Sequence, residues 1–315
     1  MQAAFRHARG SRAVQLPGIL TARAYSSPAS SKGDHLGTDV VGYKVPHLIA
    51  PTLDFSQNRL HVDQVAENLD RVGILKVSLE FPDQDSEYLQ RLILNLHKHH
   101  GHELPISHSS TRGWFWDVRP SEHMFQAGAH KARSETMRDF PWHTDCSYED
   151  PPPRYFALQV LQHDRFGGGT LSVLNVHRMM RYLSPSSRTA LEAPEYRINI
   201  PAEFIKDESH KHITASILAI GHEASIMRFR EDILVPLTRT ARKALEELNT
   251  VLASEHVRAD ATLHLIPDDL PTGSIILMDN RRWLHARNRI NDPKRHLRRV
   301  RWDTCVFGNV GECKD

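Results

Sequence analysis

Apolar residues recur three and four positions apart in three segments of the chain, residues 61–70, 85–97 and 238–252. This spacing places the apolar side chains on one face of an α-helix, where they can pack against a core. The segments carry no chemical motif, so we interpret the three predicted helices as packing elements.

Between these helices the pattern changes to short runs of apolar and β-branched residues, which are typical of strands. Proline and glycine clusters at 151–153 and 167–169 separate some of the runs. The predicted strands are residues 74–79, 155–161, 170–174, 196–200, 216–220, 274–278 and 300–307. Many short strands with a few covering helices favour a mainly β fold of jelly-roll type, although periodicity alone also fits other sandwich or α+β arrangements.

Composition adds few constraints. The 315 residues are 40% hydrophobic and 25% charged, which is typical of a soluble globular protein that can bury a full core. The net charge of +2 indicates no general affinity for nucleic acid. No apolar run approaches the roughly 20 residues that span a bilayer, so no membrane partner is predicted. The three cysteines are too few and too irregular for a disulfide scaffold, and we expect each to be a free thiol.

Residues 1–33 contain basic residues but no acidic residue, and alanine and serine are frequent. The basic residues that define the pattern are Arg6, Arg9, Arg12, Arg23 and Lys32. An arginine-rich, serine-rich and acid-free segment is typical of a transit peptide. We therefore expect a mitochondrial address, cleavage after Tyr25 and a location in the matrix, with residues 34–315 as the folded domain. A disordered basic tail on a cytoplasmic protein is the alternative.

A histidine and an aspartate two positions apart, His143 and Asp145, form a candidate metal-binding pair. Residues i and i+2 of a strand project to the same side, so one short strand can present both groups to one metal ion. His285, which follows the predicted strand 274–278, is the candidate for a second imidazole. Two imidazoles and one carboxylate bind Fe(II) on one face and leave the other face open for exogenous groups such as O2. The sequence therefore predicts an iron site of the oxygenase type.

A basic run at residues 294–301 follows His285. Such a run can indicate a nucleic-acid patch, but its alternation with apolar residues fits a strand better. On a strand, Arg295 and Arg299 face one side and Arg298 faces the other. A guanidinium inside a barrel is costly unless it meets an anion, and a dicarboxylate co-substrate would supply that anion through a bidentate contact. We therefore predict a co-substrate site here and no nucleic-acid partner.

The triple glycine at 167–169 is followed by Thr170 and a predicted strand. The Gly-Lys-Ser/Thr ending of a phosphate loop is missing, so the glycines indicate a tight turn in which φ is positive. The hydroxyl of Thr170 can reach a carboxylate from the start of the strand. Thr170 is thus a second candidate for the co-substrate site.

Four motifs follow one another along the chain, at residues 142–145, 168–170, 279–287 and 295–299. Together and in this order they resemble the taurine dioxygenase and clavaminate synthase-like family of Fe(II)/2-oxoglutarate oxygenases. The resemblance covers residues from about 60 to 305. It implies a double-stranded β-helix, which is a jelly-roll core, and a catalytic iron on His143, Asp145 and His285.

The resemblance also implies roles for the remaining candidates. It places the distal carboxylate of 2-oxoglutarate on Arg295, with Thr170 assisting. Ser134 lies in a segment similar to the serine-bearing segment of the clavaminate branch and is a further co-substrate candidate. Arg299 matches a position that in relatives contacts substrate or co-substrate, and a structural ion pair is the alternative for it.

The expected activity is oxidation, by hydroxylation in the first instance, of an unactivated C–H bond in a small polar, amino-acid-like metabolite, with release of succinate and CO2. Desaturation, cyclisation or demethylation with the same Fe(II), 2-oxoglutarate and O2 stays open, because the pose of the substrate decides the outcome. A non-catalytic barrel that binds a metal or an anion is the rival from another class. The sequence leaves the oligomeric state open, and a homo-oligomer is compatible with it.

Overall fold

A computed structural model of the chain describes residues 44–107, 113–120, 132–220 and 224–308. The predicted address at residues 1–33 lies outside the described residues, so the expected domain boundary stays a prediction. The described part belongs to one compact unit that spans Asp39–Asp315. No described helix has the length and apolar character that crossing a membrane requires.

Strands make up most of the regular structure in the described ranges. They are β1 (His47–Ala50), β2 (Ile74–Leu79), β3 (Trp116–Val118), β4 (Phe140–His143), β5 (Pro153–Gln162), β6 (Leu171–Asn175), β7 (Tyr196–Asn199), β8 (His212–Ala215), β9 (Leu218–Ile220), β10 (Ser225–Met227), β11 (Leu234–Pro236), β12 (Thr262–Leu265), β13 (Ser274–Asp279), β14 (Trp283–Arg287) and β15 (His296–Thr304).

Helices connect or cover these strands. The α-helices are α1 (Arg59–Arg71), α2 (Glu87–His100), α3 (Val176–Met179), α4 (Pro185–Glu192), α5 (Arg239–Ala253) and α6 (Glu255–Ala261). Short 3-10 turns lie at Leu53–Gln57, Arg133–Glu135, Met180–Tyr182, Ala202–Phe204 and Glu231–Ile233.

The three predicted helices are confirmed as α1, α2 and α5. Side chains fix the first turn of two of them, because the side-chain oxygens of Asn58 and Thr238 accept hydrogen bonds from backbone N–H groups of α1 and α5. Gly101, with φ of +69°, ends α2 in the left-handed conformation that glycine tolerates. Helices α4 and α6 were not predicted, since each is too short to show the apolar period clearly.

All seven predicted strands have a counterpart, with shifted ends in several cases. The prediction at 216–220 is too long, because the strand there begins only at Leu218. Strand β14, which matters for the site, was not predicted. The short strand expected to carry both His143 and Asp145 is present as β4, but it ends at His143 and Asp145 lies in the turn that follows. Pro141 interrupts the strand signal in β4, and the arginines that flank β14 make it look like a polar turn.

Two large sheets contain most of the strands. One has six strands in the order β1-β2-β13-β5-β15-β3, and the other has four in the order β12-β6-β14-β4. Their pairings are antiparallel apart from β1 with β2. Smaller sheets are formed by β11-β7-β8 and by β10-β9. The mainly β fold with covering helices is therefore as predicted.

The alternation of side chains along the strands separates two apolar cores. In β5, Phe156 and Leu158 join a cluster with Leu171 and Val173 of the four-stranded sheet. The side chain between them, Ala157, belongs to a second cluster with the apolar faces of α1 and α2. The six-stranded sheet is thus covered by the four-stranded sheet on one face and by two helices on the other.

One expectation about cysteines is wrong. Cys146 is a buried free thiol, as expected, whereas Cys305 is disulfide-bonded. The low cysteine count excluded a disulfide scaffold but could not exclude a single bridge.

A substitution at Leu277 tests whether the core between the six-stranded sheet and its helices stabilises the protein. This side chain lies fully buried at the centre of β13. Leu277→Ala should lower the free energy of unfolding by about 2–5 kcal/mol, because it removes buried methyl groups and leaves a cavity. Leu94→Ala, on the exposed side of α2 where the leucine is 40% exposed, should change it by less than about 0.5 kcal/mol. Equal losses in urea unfolding would contradict this assignment of the core.

Candidate active site

The three predicted metal ligands lie together. His143 ends β4, Asp145 follows two residues later, and His285 lies in the middle of β14. Strands β4 and β14 are antiparallel neighbours, and their register places His285 opposite His143. One ligand atom from each of the three side chains lies within 4.8 Å of the other two, and all three side chains are buried.

The orientation of the two imidazoles suits a metal between them. The Nδ1 atom of His143 is 2.8 Å from the carbonyl oxygen of Pro141, so Nδ1 carries the proton and the lone pair is on Nε2. That Nε2 atom is 4.0 Å from Oδ1 of Asp145, and Nε2 of His285 is 3.9 Å from the same oxygen. Oδ2 of Asp145 is buried without a hydrogen-bond partner. The two Nε2 atoms thus lie near one carboxylate whose second oxygen the protein leaves unsatisfied, as a metal ligand requires.

The protonation states also suit a metal. Burial lowers the pKa of His285 to about 4, and Asp145 only partly opposes this shift. Burial and the neighbouring His285 hold the pKa of His143 well below 6.5. Both imidazoles are therefore neutral near pH 7, which is the form that binds a metal ion.

Asp145 is ionised although it is buried. Burial raises the pKa of its carboxyl, but Arg299, followed by the two imidazoles and Arg301, lowers the pKa by more. Nη1 of Arg299 donates a hydrogen bond of 3.0 Å to Oδ1. Of the two alternatives for Arg299, the ion pair is therefore present, and it involves a proposed metal ligand.

Asn280 fixes the backbone of Asp145 from the turn between β13 and β14. Its Oδ1 accepts from the backbone N–H of Asp145 at 2.7 Å, and its Nδ2 donates to the carbonyl oxygens of Asp145 and Pro153 at 2.9 and 3.0 Å. The sequence indicated only a turn at this position. A buried Asn next to a strand end was the available signal, but its partner is distant in the sequence.

The three ligands line an apolar cavity that lies between the two large sheets and opens to solvent. Its apolar wall is formed mainly by Phe156, Leu158, Val160, Leu171, Ile276 and Leu297. Such a wall with a few polar groups is typical of a small-molecule site.

Arg295 lines the same cavity, and among the residues that the structure describes no carboxylate oxygen lies within 4.0 Å of its guanidinium. It is 5% exposed, and its Nη1 atom is buried without a hydrogen-bond partner. Burial, and then the nearby Arg287, lowers the pKa of its guanidinium to about 9. A buried guanidinium with an unsatisfied donor can bind a carboxylate of a ligand, because a bidentate ion pair would satisfy its N–H groups.

Of the two hydroxyl residues predicted for the co-substrate site, Ser134 lines the cavity and Thr170 does not. Ser134 is buried in the turn Arg133–Glu135 and lines the cavity. Thr170 precedes β6, and its backbone N–H donates to Oδ1 of Asn288. Its neighbours Gly169 and Leu171 line the cavity and Thr170 does not. The role of Thr170 in binding a carboxylate therefore stays a prediction.

Arg287 also lines the cavity and was missed in the sequence. The signal was present, because Arg287 follows His285 by two positions and the two residues share a face on a strand. It was overlooked because β14 itself was not predicted.

A substitution at Gly169 tests whether the position of the Arg295 guanidinium matters for binding. With φ of +68°, Gly169 lies so close to Arg295 that an added Cβ would be 2.7 Å from Nε. Gly169→Ala should displace the guanidinium and raise the Kd for 2-oxoglutarate about tenfold or more, as expected when a charge-assisted hydrogen bond is lost. Gly167→Ala is the matched control, because Gly167 also has positive φ but no atom within 4 Å of the added Cβ. Equal Kd values for the two variants in calorimetric titration would sink the assignment.

Comparisons with known proteins identify the family of the chain. The sequence profile described as taurine catabolism dioxygenase TauD, TfdA family matches residues 45–301. An L-asparagine oxygenase of Streptomyces coelicolor is 29% identical over 146 residues, which cover 46% of this chain and 41% of that protein. The chain therefore matches less than half the length of this curated relative.

Solved structures share the fold. A complex of asparagine oxygenase with Fe(II), 2S,3S-3-hydroxyasparagine and succinate has a TM-score of 0.61 and 20% identity, over 80% of this chain and 83% of that one. The non-heme iron oxygenase OrfP with Fe and alpha-ketoglutaric acid has a TM-score of 0.60 and 16% identity, over 83% and 95% of the two chains. Because the family profile spans most of the chain, from β1 into β15, this protein belongs to the TauD/TfdA family.

Proposed function

We propose that this protein is an Fe(II)- and 2-oxoglutarate-dependent dioxygenase that acts on a small molecule. The observation that carries the proposal is the convergence of two neutral imidazoles and one ionised carboxylate beside a buried, unpartnered guanidinium. Membership of the TauD/TfdA family supports it, and so do the iron, succinate and alpha-ketoglutaric acid named for the structural neighbours.

His143, Asp145 and His285 would hold the metal, because one ligand atom from each lies within 4.8 Å of the other two and Oδ2 of Asp145 has no other partner. When bound, Fe(II) supplies the activation of O2 that is coupled to conversion of 2-oxoglutarate into succinate and CO2. The protein supplies position and charge. Arg295 binds the distal carboxylate, Arg299 keeps Asp145 ionised, and the apolar wall limits access of water to the reacting groups.

We propose a substrate that is a small polar, amino-acid-like metabolite and an outcome that is hydroxylation of an unactivated C–H bond. The structural neighbours support this class, since they include complexes of asparagine oxygenase with 2S,3S-3-hydroxyasparagine and of OrfP with (3R,4R)-dihydroxy-L-Arg. Desaturation, cyclisation and demethylation use the same cofactors and would be distinguished by the mass of the product.

We also propose that the six-stranded and four-stranded sheets are the two sheets of a double-stranded β-helix, the jelly-roll core implied by the resemblance. Their shared apolar cluster and the placement of the ligands at the end of β4 and on β14 support this assignment.

Anaerobic titration of the full chain with Fe(II) and 2-oxoglutarate tests the proposed chemistry. A weak visible charge-transfer band should appear in the wild type, and Asp145→Ala should lose it, because one metal ligand is gone and Arg299 loses its partner. Asp207→Ala is the control, since this carboxylate also pairs with a histidine, His210, but is exposed.

Persistence of the band in Asp145→Ala would overturn the ligand set. If the wild type binds iron but neither binds 2-oxoglutarate nor develops the band, the non-catalytic barrel becomes the better description.

For location, we propose that residues 1–33 direct the chain to the mitochondrial matrix. Their arginines and the absence of acidic residues support this proposal. A fluorescent protein fused behind residues 1–33 should colocalise with mitochondria, and replacing Arg9, Arg12 and Arg23 by glutamate should make the signal diffuse. A diffuse signal from the unaltered fusion would favour the cytoplasmic alternative.

A further inference from the structure

Arg287 places a second guanidinium in the cavity. It follows His285 by two positions in β14, so both side chains lie on the inner face of the four-stranded sheet. Arg287 is 8% exposed, which is unusual for an arginine without a carboxylate partner. Within the described ranges, no carboxylate oxygen lies within 4.0 Å of its guanidinium, and Asp139 attracts its charge only from a greater distance.

The hydrogen bonds of Arg287 satisfy only one side of its guanidinium. Nη2 donates to the carbonyl oxygens of Thr136 and Arg138 at 3.1 and 2.8 Å. Nη1 is buried and has no hydrogen-bond partner. Leaving a buried charged donor unsatisfied is costly, so the free side of this group indicates a missing acceptor.

Arg295 likewise has a buried guanidinium with an unsatisfied donor atom. Its Nη1 atom is also buried without a partner, and the charge of Arg287 acts on it across the cavity. Two positive charges in an apolar enclosure repel each other, and an anion bound between them would offset the energetic cost of this repulsion. A single carboxylate has two oxygens and can accept hydrogen bonds from two guanidinium groups at once.

We propose that Arg287 is a second binding residue for the distal carboxylate of the co-substrate, which it shares with Arg295. The inference rests on the proposed function, because it concerns the same cavity. It assigns the free Nη1 side of Arg287 to the ligand and the Nη2 side to the segment that follows Ser134.

The test compares two 2-oxo acids, 2-oxoglutarate and 2-oxopentanoate, by calorimetric titration of the Zn(II)-loaded full chain. The second acid has the same chelating end but lacks the distal carboxylate. Arg287→Gln should raise the Kd for 2-oxoglutarate about tenfold or more, the loss expected for a hydrogen bond to a charged group. The Kd for 2-oxopentanoate should change less than about twofold, because no contact with the distal end exists to lose.

Arg282→Gln is the matched control. Arg282 also donates to two backbone carbonyls, those of Asp70 and Arg71, but it is only half-buried and does not line the cavity. It should leave both Kd values unchanged. Arg287→Lys keeps a positive charge and serves as the second variant if the glutamine variant fails to fold; its loss should again be confined to 2-oxoglutarate.

The outcomes separate the two proposals. Equal effects of Arg287→Gln on both acids, or no effect on either, would mean that Arg287 only holds the Thr136–Arg138 segment, and would overturn this inference alone. If the wild type does not bind 2-oxoglutarate and Arg295→Gln changes nothing, the proposed function fails as well.

Discussion

The ionised carboxylate of Asp145, buried between the two large sheets, is the constraint on which the arrangement of the site depends. Removing such a charge from water is costly, and the cost is tolerable only if opposite charges and hydrogen bonds surround it. Arg299 supplies the opposite charge at 3.0 Å, and Asn280 fixes the main chain on both sides of the residue. Both contacts leave Oδ2 free. The protein therefore stabilises the charge without saturating the carboxylate, which is the condition for a metal ligand.

Strand periodicity then distributes the remaining functional groups. In β14, His285 and Arg287 face the cavity two positions apart. Arg299 on β15 and Arg295 just before it face the cavity, whereas Arg298 points to the outer side and pairs with Asp117. Rigid, hydrogen-bonded strands fix these side chains more accurately than loops would, and an apolar wall keeps the charges from being screened by water. The same sheets that form the core thus determine the distances in the site.

Much of this arrangement was predictable because it depends on local spacing. The period of two suggested that His143 and Asp145, and Arg295 and Arg299, lie near one another, although Asp145 follows the end of β4 and Arg295 precedes β15. The apolar period gave the three longer helices. The register that places His285 opposite His143 was not predictable, because it joins strands that are distant in the sequence. Arg287 and Asn280 were missed for the same reason: each is defined by contacts with distant residues. The disulfide-bonded state of Cys305 likewise depends on distance in space.

The balance of charge explains why a metal and a dicarboxylate would bind together in this cavity. Asp145 and Arg299 offset each other at one end of the cavity. At the other end Arg287 and Arg295 each keep a buried Nη1 atom without a hydrogen-bond partner, and Asp139 and Asp164 offset their positive charges only from a distance. A divalent metal on the three ligands would add positive charge at the end that holds Asp145. A ligand that carries one carboxylate at each end neutralises both, whereas a monoanion neutralises only one. Metal and co-substrate would therefore each strengthen the binding of the other, and this coupling is reciprocal by thermodynamic necessity. A cavity with this distribution of charge selects for the separation of charges in its ligand, not only for the total charge.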